Sequence, residues 1–165
     1  MTSTATNEIC LRKPAATDAA DVAKLVAESP PLELNTTYAY LLITTHFADT
    51  SVVAEREGEI VGFVAGYRPP TAPEALFVWQ VAVKDTARGL GIGSRMLVEL
   101  LKRPACDGVR YLTTTVTPSN ASSTRLFQRF AEKQHAEFIT ERHFGAELFG
   151  GGHEEEVLYR IGPLR

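Results

Sequence analysis

The run Arg88-Gly89-Leu90-Gly91-Ile92-Gly93-Ser94 is the part of the chain best suited to chemistry. Glycine at every second position removes the Cβ atoms that would hold a bulky group away from the backbone. The apolar run Phe77-Val78-Trp79-Gln80-Val81-Ala82-Val83 comes shortly before it. After it, Ile92, Met96, Leu97, Leu100 and Leu101 recur at helical spacing and form one apolar stripe. A strand, a glycine turn and a helix start therefore follow one another. Unpaired amides and the positive end of the helix dipole meet at that start, which makes an anion site, most often one for phosphate. A Walker loop is excluded, because Gly93 precedes Ser94-Arg95 and not Lys-Ser/Thr. A dinucleotide fingerprint is excluded too. Its third glycine would fall at Ser94, and the loop lies mid-chain and not after a first strand.

The elements that must position this loop can be read along the chain. Ile9 to Arg12 is a first strand, and Thr17 or Asp18 caps a helix with the stripe Val22, Leu25 and Val26, stopped by Ser29-Pro30-Pro31. Asn35 is placed to cap a second helix with Tyr38, Leu41 and Leu42 on one face. Ser51 to Arg56 and Glu59 to Tyr67 are strands joined by the hairpin signal Glu57-Gly58. Leu76 to Val83 is a central strand, since it is apolar nearly throughout. The glycine loop and its helix, ending near Lys102, come next, then a β-branched strand over Tyr111 to Val116. Asn120 starts a helix through Leu126, Phe127 and Phe130, and strands over Glu137 to Phe144 and Glu156 to Ile161 close the chain.

Composition sets the frame. With 165 residues, 44% hydrophobic and 22% charged, the chain is expected to be one domain over residues 1–165 with its own core, residues 1–8 being a frayed end. A net charge of −3 gives no polybasic footprint for nucleic acid or a membrane surface. No apolar stretch approaches a membrane span, and the polar Met1-Thr2-Ser3-Thr4-Ala5-Thr6 start has no signal-peptide pattern. Cys10 and Cys106 are too few for a disulfide framework, so a cytoplasmic location is expected. No His/Cys/Asp/Glu spacing suggests a metal.

Arg88-x-x-Gly91-x-Gly93 after a strand resembles the pyrophosphate loop of the GNAT acetyltransferase superfamily, and the order β-α-α-β-β-β-α-β-α-β-β resembles the order of that fold. The resemblance implies an α/β (α+β mixed) fold. Its central mixed, mostly antiparallel sheet is flanked by helices and splays between two parallel strands, Leu76–Val83 and Tyr111–Val116. It implies acetyl-coenzyme A as co-substrate. Arg88, Gly89, Leu90, Gly91, Ile92, Gly93 and Ser94 would hold the pyrophosphate, and the backbone of Val81 and Val83 the pantetheine amides. Asn120 matches a family asparagine that reaches the cofactor; it reads equally as a plain helix N-cap.

A narrower resemblance covers about Leu11 to Leu164. HFADTSVVAEREGEIVGFVAGYRPP, LFVWQVAV, RPACDGVRYLTTTVTPSN and FGAELFGGGHEEEVLYRIGPL are similar to the diaminobutyrate acetyltransferases of ectoine biosynthesis. That family transfers acetyl to the 4-amino group of L-2,4-diaminobutyrate, and a separate synthase cyclises the product. A substrate with two ammonium groups and a carboxylate needs anions around it. Glu33, in a loop after two prolines, and Glu156, which opens the last strand, are the candidates, with Glu154 on the face of Glu156 and Glu155 opposite. His153 is the best-placed histidine for proton handling. Trp79 reads equally as a cation-binding wall and as core, and Tyr38 combines a helix-stripe ring with a hydroxyl that can reach substrate. Arg68, Arg142 and helix-terminal amides are open candidates for the substrate carboxylate.

The implied reaction is direct transfer in a ternary complex, with Glu156, His153 and the Val81 N–H as the catalytic groups. That N–H is the oxyanion donor. Many GNAT enzymes use a tyrosine to return the proton to the thiolate; here the matching residue is Phe127, so the proton comes from water or another tyrosine. Two other readings stay open: a GNAT enzyme for another small diamine, amino acid or protein N-terminus, and a non-catalytic acyl-coenzyme A-binding module. A homodimer is expected, with Phe144, Leu148 and Phe149 contributing to an apolar patch.

Overall fold

A computed structural model describes residues 8–165, so the expected frayed end at 1–8 lies, apart from Glu8, outside the described residues. The elements are β1 (Cys10–Arg12), α1 (Ala19–Ala27), α2 (Thr37–His46), β2 (Val52–Arg56), β3 (Glu59–Tyr67), β4 (Ala75–Val83), α3 (Ile92–Leu101), β5 (Tyr111–Val116), α4 (Ala121–Lys133), β6 (Glu137–Phe144) and β7 (Glu156–Gly162). Their order is the one read from the sequence. The strands form a seven-stranded sheet in the order β1-β2-β3-β4-β5-β7-β6. β1–β2, β2–β3, β5–β7 and β6–β7 pair antiparallel, while β4 and β5 run parallel as expected.

The chain packs as two compact units: one runs to Ala65 and includes Gln80–Ala105, and the other comprises Gly66–Trp79 and Cys106–Arg165. In the first unit, Val22, Leu25 and Val26 of α1 and Tyr40 and Ile43 of α2 bury against Val53, Phe63, Ala65 and Ala82. The other face of β2 and β3 meets α3. Gly62 makes that contact close: a Cβ would come within 3.1 Å of both the Met96 Cε and the Ala54 Cβ, so a larger residue would need its neighbours to give way. Glu57 and Gly58 turn the β2–β3 hairpin with φ of 53° and 78°, the left-handed pair that a two-residue hairpin turn requires.

Two expectations for this unit need correction. Asp18 is the N-cap of α1, one of the two residues expected there, but its side chain makes no cap bond; a 3-10 turn over Ala16–Asp18 leads into the helix. The Asp18 carboxylate instead accepts from the Ala15 amide at 2.7 Å and from the Arg12 guanidinium at 2.8 and 2.9 Å. Second, Thr36 and not Asn35 caps α2, accepting from the Ala39 amide at 3.1 Å. The buried face of α2 is Tyr40, Ile43 and Thr44, while Tyr38 is 68% and Leu41 39% exposed.

In the second unit, Phe127, Phe130 and Ala131 of α4 are buried along with Leu112 and Val116 of β5 and Tyr159 and Ile161 of β7. The strict alternation in β5 follows from this, with Leu112, Thr114 and Val116 buried and Tyr111, Thr113 and Thr115 half-buried. On that second face, the Arg160 guanidinium lies 4.0 Å from the centroid of the Tyr111 ring.

Candidate active site

The glycine loop lies in the first unit. Gly89 and Gly91 have φ of +80° and +70°, and a Cβ built on either would meet nothing within 4 Å. The space beside both glycines is open, so a bulky anion can come against the backbone. Gly91 is the N-cap of α3 and offers no side chain to the helix start. The first backbone bond of the helix runs from the Arg95 amide to the Gly91 carbonyl at 3.1 Å. The amides of Ile92, Gly93 and Ser94 precede it and point along the positive end of the dipole. No acidic residue stands in the first turn. Arg88, Leu90 and both αL glycines are exposed, whereas Ile92 and Gly93 are buried and anchor the loop. Arg88 pairs with Asp85 at 3.1 Å on the surface. These features fit the pyrophosphate of a coenzyme A.

The β4–β5 ladder holds four pairs and ends at Val78↔Thr114, although both strands continue. Val81 and Val83 lie past its last pair, and both are half-buried. The same unit holds a polar circuit that the spacing of the sequence did not reveal. Gln80 is 6% exposed and Tyr40 fully buried. The Tyr40 hydroxyl donates to Gln80 Oε1 at 3.0 Å, Gln80 Nε2 donates to the Glu33 carbonyl at 2.7 Å, and the Asn35 amide donates to the Tyr40 hydroxyl at 3.3 Å. The Glu33 side chain is on the exposed loop that this circuit holds.

In the second unit, Trp79 is 42% exposed, so it is not a core residue. It shares the half-exposed face of β4 with Phe77, Val81 and Val83, as strand parity requires. Asn120 is the N-cap of α4, with Oδ1 accepting from the Ser123 amide at 3.1 Å. The cap uses only the carbonyl oxygen of its amide. Ser119, the residue before it, donates its hydroxyl to the Glu154 carboxylate, which ties the His153–Glu156 segment to the start of α4.

His153 stacks on Phe149 with ring centroids 3.9 Å apart, and its Nδ1 bonds the Glu154 carbonyl. A carbonyl only accepts, so this contact calls for a proton on Nδ1. Glu156 opens β7, opposite Phe144, and is half-buried. Glu155 faces Arg142 at 3.9 Å. Phe127 is 2% exposed and belongs to the core, while the buried Tyr159 hydroxyl bonds Thr124 at 2.9 Å. The Arg68 guanidinium is used structurally, donating to the carbonyls of Pro73 and Asp107. Among the described residues, no group of three or more His, Cys, Asp or Glu could hold a metal ion, and no helix is long and apolar enough to cross a membrane.

A mixed sheet, a parallel β4–β5 pair and a glycine loop at a helix start are the features that the resemblance to an acetyltransferase implies, and the Acetyltransferase (GNAT) family matches residues 19–131. Among curated relatives, the L-2,4-diaminobutyric acid acetyltransferase of Chromohalobacter salexigens is 46% identical over 93% of this chain and 81% of its own length. That of Halomonas elongata is 44% identical over 94% and 81%. Among solved structures, the diaminobutyrate acetyltransferase EctA from Paenibacillus lautus, in complex with its substrate L-2,4-diaminobutyric acid and coenzyme A, superposes with a TM-score of 0.91 at 45% identity, covering 95% of this chain and 96% of that one. The chain belongs to the GNAT acetyltransferases and, within them, to the L-2,4-diaminobutyric acid acetyltransferase family.

Proposed function

We propose that this enzyme transfers the acetyl group of acetyl-coenzyme A to the 4-amino group of L-2,4-diaminobutyrate, giving the precursor that a separate synthase cyclises to ectoine. The observation that carries the reading is the 45% identity, at a TM-score of 0.91, to an enzyme seen with that amino acid and coenzyme A. We take residues 1–165 as one acetyltransferase domain, a reading supported by relatives aligned over 93% of the chain. Acetyl-coenzyme A supplies an acetyl group activated as a thioester, whose thiol, with a pKa of about 8.5, is a fair leaving group.

The residues of the chain do the rest. The amides from Gly89 to Ser94, with Arg88, hold the pyrophosphate. The backbone of Val81 and Val83 holds the pantetheine amides, and the Asn120 amide NH2 donates to the cofactor. The Val81 N–H also stabilises the negative charge that develops on the thioester oxygen. His153 accepts the amine proton at Nε2, supported by Glu156. Proton return to the thiolate comes from water or a tyrosine, because Phe127 has no proton to give.

Regioselectivity has to come from the pocket. An α-amine has a pKa near 8 and a side-chain amine one near 10, so the 2-amino group loses its proton first in water. A carboxylate paired with the 2-ammonium keeps it charged and non-nucleophilic. We assign that pairing to Glu33 or Glu156, and name Tyr38 and Trp79 as further substrate-binding residues. We also propose a cytoplasmic homodimer, supported by two free cysteines and by the exposed Phe144 and Leu148.

A thiol-release assay across diaminobutyrate, ornithine, lysine and peptides tests the reading. Turnover on diaminobutyrate well above the others is expected, and preference for another amine overturns it. Coenzyme A binding with no acetylated amine at all would favour a non-catalytic module.

A further inference from the structure

We infer that Gln80 and Tyr40 are positioning residues that set which amino group of the substrate is acetylated. The inference rests on the proposed role of Glu33 in holding the substrate. The two side chains bracket one residue, Leu34: Gln80 Nε2 holds the Glu33 carbonyl at 2.7 Å, and the Tyr40 hydroxyl accepts from the Asn35 amide at 3.3 Å. A 3.0 Å bond from Tyr40 to Gln80 closes the circuit. Both side chains are shielded from water, at 6% and 0% exposure, so these bonds do not exchange freely with solvent. Tyr40 is fixed further by its ring, edge-on to Phe63 at 6.3 Å.

The far end of the circuit is the strand itself. Gln80 lies on β4 immediately before Val81, whose backbone serves the thioester, and immediately after Trp79. One buried glutamine thus ties the main chain that carries Glu33 to the strand that carries the oxyanion donor. The two nitrogens of diaminobutyrate differ in reach by the two carbon–carbon bonds that separate C2 from C4. The pocket can distinguish them only if the carboxylate that pairs with one is held at a fixed distance from the carbonyl carbon of the thioester. Gln80 and Tyr40 supply that fixed distance without touching substrate.

The test uses Gln80→Met and Tyr40→Phe in the full chain, with acetyl-coenzyme A and diaminobutyrate, and NMR of the product. A Phe130→Leu variant of similar melting temperature serves as control. The KM for diaminobutyrate should rise about ten-fold, that for acetyl-coenzyme A should stay within about two-fold, and 2-acetyl product should appear in both variants but not in the control. Folded variants with wild-type KM and only 4-acetyl product overturn the inference, as does 2-acetyl product in the control as well. A wild type inactive on diaminobutyrate instead overturns the function reading beneath it. Hydrogen exchange in the wild type decides the matter if neither variant folds: a protected Asn35 amide supports the clamp, and a rapidly exchanging one overturns it.

Discussion

The Thr114 hydroxyl donates to the Val78 carbonyl at 2.8 Å, at the last rung of the parallel β4–β5 ladder. A side chain thereby bonds the main chain where the ladder stops. Both residues are buried, so the carbonyl has no access to bulk water. Thr114→Val keeps the shape and removes the donor. The buried carbonyl then loses its hydroxyl partner, at a cost of about 1–3 kcal/mol. Urea unfolding should show a lower midpoint with an unchanged slope; a midpoint equal to that of the wild type would mean the bond contributes nothing.

Gly89 and Gly91 hold left-handed φ values, with open space where a Cβ would stand. Alanine at either position therefore costs backbone strain alone, about 1 kcal/mol. The strain rearranges the amides at the start of α3. Gly89→Ala and Gly91→Ala should raise the KM for acetyl-coenzyme A several-fold and leave that for the amine nearly unchanged. Steady-state kinetics with each substrate varied in turn measures this.

Glu33→Gln removes the charge and keeps the size. If Glu33 pairs with the 2-ammonium, the KM for diaminobutyrate rises about ten-fold or more, the worth of a charge-assisted bond, with little change for acetyl-coenzyme A. Equal small effects on both would transfer the role to Glu156. Glu156→Gln should lower kcat as well, since Glu156 is assigned to support proton removal.

Arg12 bonds both Asp18, at 2.8 Å, and Glu55, at 2.7 Å, and so ties β1 to β2 and to the turn before α1. The Arg12 guanidinium holds the Asp18 carboxyl below its ordinary value, with help from the Ala15 amide and against the opposing effect of burial. A lowered carboxylate pKa stabilises the fold above the unfolded value of about 3.9, and that stability is lost as pH falls through the folded value. Asp18→Asn should therefore be less stable at pH 7 by about 2 kcal/mol. The gap should close only below about pH 4. Thermal melts from pH 7 to pH 3 measure the closing gap.

Much of this architecture could be read from residue pattern, because the deciding signals were local. Glu57-Gly58 marks a hairpin whose left-handed φ values few other pairs adopt, and Tyr111–Val116 alternates cleanly between faces. The face of α2 was not legible. Tyr38, Tyr40, Leu41, Leu42 and Ile43 put apolar bulk all round the helix, so periodicity selects no side. Thr44 can join the buried face because its hydroxyl donates back to the Tyr40 carbonyl at 2.7 Å, a bond that leaves no hydrophobic signature. Gln80 was hidden for a different reason. Its partners are Tyr40 and the main chain of Glu33, far away in sequence, and only the folded chain brings the three together.

The central claim is acetyl transfer to one nitrogen of one amino acid. The enzyme should be incubated with acetyl-coenzyme A and L-2,4-diaminobutyrate labelled with 15N at the 4-position, and the product followed by NMR. The account predicts an amide proton coupled to 15N, appearing in step with release of coenzyme A. Coenzyme A release with the acetyl group on the unlabelled 2-nitrogen, or no acetyl product from diaminobutyrate while ornithine or lysine is acetylated, would contradict it.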